Sequence, residues 1–213
     1  MNLTKVLGIV AEYNPFHKGH LYHLNQAVQL IQPDYTIAIM SGNFTQRGEP
    51  TIIDKWARTR IALESGIHLV IELPTLYACQ TAELFAAGAI ETLHQTGLVT
   101  HIAFGSEYHN IEHLKKIAGI LAEEPEGYRK LLKSYLNQGL SFPAARLEAI
   151  KQYIKDTQQD DNLSSQIIDQ ILKGSNSILA IEYLKALIRL KSSIQPIIIP
   201  RVGSSYNTDA IEG

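Results

Sequence analysis

Short apolar runs alternate with amphipathic segments of helical length through the first half of the chain. The runs that predict strands lie at residues 5–11, 35–40, 68–73 and 101–104. The segments with apolar residues at helical spacing lie at residues 19–31, 54–65 and 81–96. Continuous apolar strands with a helix between successive strands are typical of a parallel sheet that is covered on both faces. The pattern therefore predicts an α/β fold built on a doubly wound parallel sheet of about five strands.

The second half of the chain follows a different pattern. Residues 111–157 are predicted to be mostly helical, and the polar residues 156–162 are predicted to form an exposed loop. Helical spacing returns at residues 163–172 and 178–190, with residues 173–177 predicted to connect them, and the apolar residues 196–200 predict a fifth strand.

These patterns divide the chain into three parts. Residues 1–110 are predicted to form the first part of the sheet domain, residues 111–172 a mainly helical insertion, and residues 173–213 a return to the sheet. A doubly wound sheet would continue with another helix after its last strand, so we expect that the sequence is truncated at its C-terminal end.

The composition narrows the class of protein. The chain has 213 residues, of which 45% are hydrophobic and 19% charged, which favours a folded globular protein over a disordered one. A net charge of −2 argues against non-specific binding of nucleic acid through bulk charge. The sequence has neither a signal-peptide pattern nor an apolar run long enough to cross a membrane, and it has one cysteine, Cys79. We expect a cytoplasmic location and no association with a membrane.

The turn after the first predicted strand carries the strongest chemical signal. It contains His17 and His20 at the start of the first predicted helix. A helix N-terminus attracts anions because its free N–H groups and its dipole both favour negative charge. We expect the backbone N–H groups around Lys18 and Gly19 to hold phosphate oxygens, with Gly19 allowing close approach. Two imidazoles at this position can stabilise charge on a phosphate, so the sequence predicts nucleotide chemistry.

Three further residues lie where the same ligand would be expected, at the carboxyl ends of predicted strands or at a helix start. Gly105 follows the fourth strand, Asn176 begins a helix, and Arg201 ends the fifth strand. Gly105 and Asn176 could bind a ribose or an adenine edge, or they could be a turn glycine and a helix cap. Arg201 could bind a phosphate or a carboxylate, or it could be a surface arginine.

Other polar residues remain open as site candidates. Basic residues beside an aromatic side chain suit a nucleic-acid surface, but an ordinary amphipathic helix also explains them; these residues are Lys55, Trp56, Arg58 and Arg60. A carboxylate could help to bind Mg²⁺, and the sequence does not select among Glu72, Glu83 and Glu107. The metal ligands are therefore unknown at this point.

Several of these motifs together resemble a known family. The matching segments are residues 12–20, 41–50, 54–58, 104–107 and 175–183. The His-x-x-His spacing after a first strand resembles the HIGH-type nucleotidyltransferase superfamily, and the whole set resembles the N-terminal part of the bacterial tRNA(Met) cytidine acetate ligases. The resemblance implies a Rossmann-like (HUP-type) sheet domain with an inserted helical segment.

The resemblance also implies an activity and a set of site residues. ATP and acetate would form acetyl-adenylate, and the acetyl group would pass to N4 of the wobble cytidine of elongator tRNA(Met). Mg²⁺ is expected to accompany ATP. The implied catalytic residues are His17 and His20. The implied ATP-binding residues are Val10, Ala11, Glu12, Tyr13, Asn14, Pro15, Phe16, His17, Lys18, Gly19, His20, Leu21, Tyr22, Gly105, Asn176 and Arg201.

Two alternatives fit the residues without the resemblance. One is an adenylyltransferase that joins AMP to a phosphorylated small molecule. The other is a nucleotide- or RNA-binding module that performs no reaction. Acetate dependence distinguishes the ligase from the first alternative. His20→Ala distinguishes an enzyme from the second, because it should abolish turnover and leave ATP affinity within about tenfold, whereas a binding module has no turnover to lose.

Overall fold

The computed structural model of the chain describes residues 4–157 and 162–200. The strands in this part are β1 (Val6–Ala11), β2 (Tyr35–Ser41), β3 (Leu69–Leu73), β4 (His101–Ser106) and β5 (Gln195–Pro200). The helices are α1 (Lys18–Ile31), α2 (Lys55–Glu64), α3 (Thr75–Ala78), α4 (Ala82–Gln95), α5 (Ile111–Glu123), α6 (Glu126–Asn137), α7 (Phe142–Thr157), α8 (Ser165–Lys173) and α9 (Ser175–Arg189). The predicted α/β class and the number of strands are confirmed.

The strands form one parallel sheet in the order β3-β2-β1-β4-β5. The order reverses beside β1, and the carboxyl edge of the sheet at such a switch point is where ligands bind in open α/β folds. Pairing between β1 and β4 runs from Leu7 opposite His101 to Ile9 opposite Ala103. Both strands continue beyond that pairing, so their carboxyl ends separate at the switch point.

Helices cover both faces of the sheet, as predicted. On one face, Leu24, Ala27 and Ile31 of α1 join Leu7 and Ile9 of β1 in a compact apolar cluster. The other face carries a larger cluster, built by the alternate strand residues together with α4, α5 and α9. Because helices cover both faces of the sheet, side chains on either face are buried, and the strands are continuous apolar runs in the sequence.

The helical segment shares the larger core. Buried residues of α5, α7 and α8 pack in the same cluster as the sheet, and α9 lies between them and the strands. The boundaries at residues 110 and 172 stay a prediction.

Two predicted element boundaries were wrong at the carboxyl edge. β4 continues through Gly105 to Ser106, so Gly105 is a strand residue and not a turn glycine. α9 begins at Ser175 and therefore takes up part of the predicted connection at residues 173–177. Both reasons are tertiary: β4 pairs with β5 as far as Ser106, and the side chain of Glu107, far away in sequence, satisfies the first N–H groups of α9.

Among the described residues, none of the helices combines the length and the apolar character needed to cross a bilayer.

Candidate active site

The N-terminus of α1 is capped by the two predicted histidines. His17 is the N-cap residue in an extended conformation, and its Nδ1 accepts a hydrogen bond from the Gly19 N–H at 3.1 Å. His20 Nδ1 in turn accepts from the His17 N–H at 3.3 Å. This reciprocal arrangement is a capping box in which imidazoles replace the usual hydroxyl and carboxylate groups.

The capping fixes where each ring carries its proton. A neutral imidazole has one N–H and one acceptor nitrogen, so a ring that accepts at Nδ1 donates at Nε2. The rings of His17 and His20 are stacked, with centroids 3.7 Å apart and planes at 25°. His17 is exposed and His20 is half-buried. The geometry thus provides two adjacent Nε2–H donors at the positive end of a helix.

The expected role of the backbone at this helix end stays a prediction, and two of its N–H groups have partners within the protein. The Gly19 N–H donates to His17, and the His20 N–H donates to the His17 carbonyl oxygen at 2.9 Å. A Cβ on Gly19 would lie 2.9 Å from Cε1 of His17. Gly19 therefore makes room for the imidazole of His17.

Packing beneath the loop supports the position of His20. Tyr13 has a φ of 50°, a left-handed conformation that is strained for a tyrosine, and its side chain is buried. Its ring meets the rings of Phe16 and His20 edge-on, at centroid distances of 4.8 and 5.0 Å. Burial raises the pKa of Tyr13, so its phenol stays protonated at neutral pH.

A buried arginine ties the first two loops together. Arg58 is fully buried, and its guanidinium donates to the carbonyl oxygens of Glu12 at 2.5 Å, of Ile53 at 3.3 Å, and of Gly42. Burial lowers the pKa of Arg58, while the carboxylates of Glu12 and Asp54 oppose that shift. The interpretation of Arg58 as part of a nucleic-acid surface was therefore wrong, because its charge is used inside the protein.

The β1–α1 loop receives two more hydrogen bonds from the loop that follows β2. Glu12 Oε1 accepts from the Gln46 N–H at 2.5 Å, and Asn14 Oδ1 accepts from the Ile52 N–H at 2.7 Å. Burial raises the pKa of Glu12, although the Gln46 N–H and Arg58 act in the opposite direction. Two of the residues predicted to contact ATP thus hold the loop in place through their side chains.

The N-terminus of α9 has a different cap. Glu107, which follows β4, accepts four hydrogen bonds there. Its Oε1 accepts from the Asn176 N–H at 3.1 Å and from Asn176 Nδ2 at 2.7 Å. Its Oε2 accepts from the Ser177 N–H at 2.7 Å and the Ser177 hydroxyl at 2.8 Å. Burial raises the pKa of Glu107, but these hydrogen bonds outweigh it and lower the pKa to about 2.

Small and buried residues make space for that carboxylate. A Cβ on Gly174 would lie 2.7 Å from Glu107 Oε2. The buried hydroxyls of Ser106 and Ser177 are 3.0 Å apart. Sequence reasoning did not identify Glu107 as the cap of α9. Locally, the sequence shows only a carboxylate just beyond the end of a strand.

The structure thus gathers most of the predicted site residues at one edge. The β1–α1 loop follows β1, Gly105 lies at the carboxyl end of the neighbouring strand β4, and Glu107 follows that strand and contacts Asn176. Lys18, Leu21 and Tyr22 are exposed on α1. Arg201 lies outside the described residues.

The remaining candidates have other partners or face solvent. Trp56 is 73% exposed, with Lys55 Nζ 5.4 Å from its ring centroid, and Arg60 is exposed. Glu72 pairs with Lys55 at 2.7 Å. Glu83 pairs with Lys185 and Arg189, both at 2.9 Å. Within residues 4–157 and 162–200, no group of three or more His, Cys, Asp or Glu side chains is arranged to hold a metal ion.

Comparison with known proteins gives consistent results. Residues 4–213 match the family model described as HIGH Nucleotidyl Transferase. The chain is 51% identical over 209 residues to the tRNA(Met) cytidine acetate ligase of Halothermothrix orenii, covering 97% of this chain and 49% of the relative. It is 52% identical over 209 residues to the protein of the same name from Acetivibrio thermocellus, covering 98% and 48%.

Solved structures of a relative have the same fold. The crystal structure of Thermotoga maritima TmcAL bound with alpha-thio ATP shares 48% identity and a TM-score of 0.89, covering 94% of this chain and 47% of that one. The apo crystal structure of the same protein shares 47% identity and a TM-score of 0.93, covering 99% and 48%. The chain therefore spans about half the length of these relatives.

Proposed function

Because the chain belongs to the HIGH nucleotidyl transferase family, we propose that it takes part in the ATP-dependent acetylation of N4 of the wobble cytidine in elongator tRNA(Met). The relatives of about 50% identity are named tRNA(Met) cytidine acetate ligases. A protein of 48% identity was crystallised with an ATP analogue. The single observation that carries the proposal is the pair of stacked imidazoles at the N-terminus of α1, at the switch point of the sheet.

The first step would activate acetate. An acetate oxygen attacks the α-phosphorus of ATP, and the bond from that phosphorus to the oxygen bridging to the β-phosphate breaks. Acetyl-adenylate and pyrophosphate result. Negative charge grows on the bridging oxygen and on the equatorial oxygens as the bond breaks, and the Nε2–H groups of His17 and His20, whose Nδ1 atoms accept from the backbone, would stabilise it.

The second step would transfer the acetyl group. The N4 amine of cytidine attacks the acetyl carbon, the bond from that carbon to the AMP oxygen breaks, and N4 loses one proton. AMP leaves with the electron pair. The protein's main contribution to both steps is to hold the reacting atoms in line and to stabilise charge.

We propose that the ATP site consists of the β1–α1 loop, residues 10–22, together with Gly105, Asn176 and Arg201. The loop is anchored through Glu12 and Asn14, so its histidines are held in place before the nucleotide binds. Mg²⁺ commonly enters such sites with the phosphates and keeps several waters. The carboxylate of Glu107 is already engaged by four protein donors, so we propose the triphosphate as the principal holder of the ion. A cytoplasmic location is part of the same proposal.

The test is exchange of labelled pyrophosphate into ATP, with and without acetate and without RNA. Acetate-dependent exchange would support formation of acetyl-adenylate by this chain. Exchange that requires a phosphorylated small molecule in place of acetate would favour the adenylyltransferase and overturn the proposal. ATP binding in calorimetry with no exchange under any condition would contradict a complete first-step site in this chain.

A further inference from the structure

The orientation of the Asn176 side chain is determined by its neighbour. An ionised carboxylate only accepts hydrogen bonds, and an amide donates only through its nitrogen. Nδ2 of Asn176, which lies 2.7 Å from Glu107 Oε1, must therefore face Glu107. The carbonyl oxygen Oδ1 is consequently directed away from Glu107. On the side away from Glu107, Asn176 therefore presents the acceptor Oδ1, while one of the two hydrogens of Nδ2 is bonded to Glu107.

Glu107 is itself held firmly enough to impose this orientation. It accepts hydrogen bonds from the backbone and side chains of Asn176 and Ser177, and Gly174 leaves it the space to do so. Because these bonds keep its pKa near 2, Glu107 remains ionised at neutral pH. No proton is available at this pH to reverse the direction of the hydrogen bond.

The charges at the two helix N-termini favour one orientation of a nucleotide along the carboxyl edge of the sheet. The positive end of α1 is capped by imidazoles, which can donate to phosphate oxygens. The positive end of α9 already holds the carboxylate of Glu107, which repels a second anion. The triphosphate therefore belongs at α1, and the uncharged nucleoside belongs beside Asn176.

We propose that Glu107 is a positioning residue that turns Asn176 so that its Oδ1 accepts a hydrogen bond from the nucleoside half of ATP. This inference rests on the proposed function, because it takes ATP to be the ligand. The donor is either the 6-amino group of adenine or a ribose hydroxyl. Glu107 would thereby determine nucleoside selectivity without touching the nucleotide.

The experiment measures affinities by calorimetry for ATP, inosine triphosphate, 2′-deoxy-ATP and 3′-deoxy-ATP. Inosine triphosphate replaces the 6-amino donor by a carbonyl oxygen, and each deoxy analogue lacks one hydroxyl donor. The wild-type chain is expected to bind one of these analogues about tenfold more weakly than ATP. In Glu107→Gln the amide can donate to Asn176, which can then turn over, and the discrimination should fall to within about twofold.

A matched control uses the same chemical change on another carboxylate that contacts α9. Glu83→Gln removes the pairing with Lys185 and Arg189 and should leave the discrimination intact. Asn176→Ala should lose it, and adding Glu107→Gln to that variant should have no further effect on discrimination. If Glu107→Gln does not fold, Gly174→Ala takes its place, because the added Cβ would displace Glu107 and should lower the discrimination in the same way.

The possible outcomes separate this inference from the proposed function. Wild-type protein that does not bind ATP would contradict the proposed function. Wild-type protein that binds ATP but discriminates against none of the analogues would overturn the inference. Discrimination that survives in Glu107→Gln or in Asn176→Ala would also overturn it.

Discussion

The N-termini of α1 and α9 lie at the same edge of the sheet and carry the same dipole, but they are capped in opposite ways. Imidazoles that accept hydrogen bonds at Nδ1 cap α1, and both are at least partly accessible to solvent. The ionised carboxylate of Glu107 caps α9. Helix ends of equal polarity therefore differ in what they can bind: the first can receive an anion, and the second has already received one from the protein.

Removal of His20 should cause the largest loss. His20→Ala is expected to lower the rate of pyrophosphate exchange by a factor of about 10²–10⁴, because a donor to the developing charge is lost. ATP affinity should stay within about tenfold, since much of the binding energy comes from other contacts. The exposed His109 is the control, and His109→Ala should exchange at the wild-type rate. If His20→Ala and His109→Ala changed the exchange rate equally, the N-terminus of α1 would have no special role in the reaction.

Loss of the buried Arg58 should weaken the α1 side by destabilising the fold. Arg58→Met leaves three carbonyl oxygens without their donor and should cost about 3–5 kcal/mol in the free energy of unfolding, measured in urea. Arg60→Met changes an exposed arginine two positions away on the same helix and should stay within about 0.5 kcal/mol of wild type. If Arg58→Met and Arg60→Met both changed the free energy of unfolding by a similar, small amount, the anchoring role of Arg58 would be contradicted.

Low pH should destabilise the N-terminus of α9, because Glu107 becomes protonated. Its pKa in the folded protein is about 2, below the ordinary value of 4.5, so its stabilising contribution is complete above 4.5 and is lost as pH falls towards 2. The contribution is about 1–2 kcal/mol, because water screens the partly exposed group. Glu107→Gln should be less stable than wild type by this amount at pH 7.

The difference between wild type and Glu107→Gln should shrink as the pH of the urea titrations falls from 5 to about 3. Glu126→Gln alters an exposed carboxylate that pairs with Lys130, and it should show at most about 0.5 kcal/mol at any pH. A constant difference across this pH range would mean that ionisation of Glu107 does not stabilise the helix end.

A pair of glycine substitutions gives the smallest and most selective comparison. A Cβ on Gly19 would press against His17, and a Cβ on Gly174 would press against Glu107. Each alanine variant should lose about 1 kcal/mol or less of stability, because only a side chain must move. Gly19→Ala should slow exchange without altering discrimination among nucleotides, and Gly174→Ala should do the reverse. The same response from both variants would show that the two helix ends do not act separately.

Much of the fold could be predicted from local patterns. Apolar runs separated by amphipathic segments predicted the parallel sheet, and the polar turn containing His17 and His20 predicted the first helix end. These features depend on residues close together in the chain, where side-chain periodicity and capping act directly. The boundary near Gly105 was wrong because pairing with β5 extends β4 to Ser106, and the boundary near Ser175 was wrong because the distant Glu107 side chain satisfies the first N–H groups of α9.

The sequence by itself determined the class of fold and the position of the imidazole pair, because both follow from short-range spacing. Only the tertiary structure decided which charged residues act inside the protein. Arg58 looks like a surface cation in sequence, yet it is buried against three loop carbonyls. Glu107 looks like one carboxylate among several, yet it reaches Asn176, 69 positions away. Such roles depend on contacts between distant segments, which form only when burial of the core brings the ends of neighbouring strands and helices together.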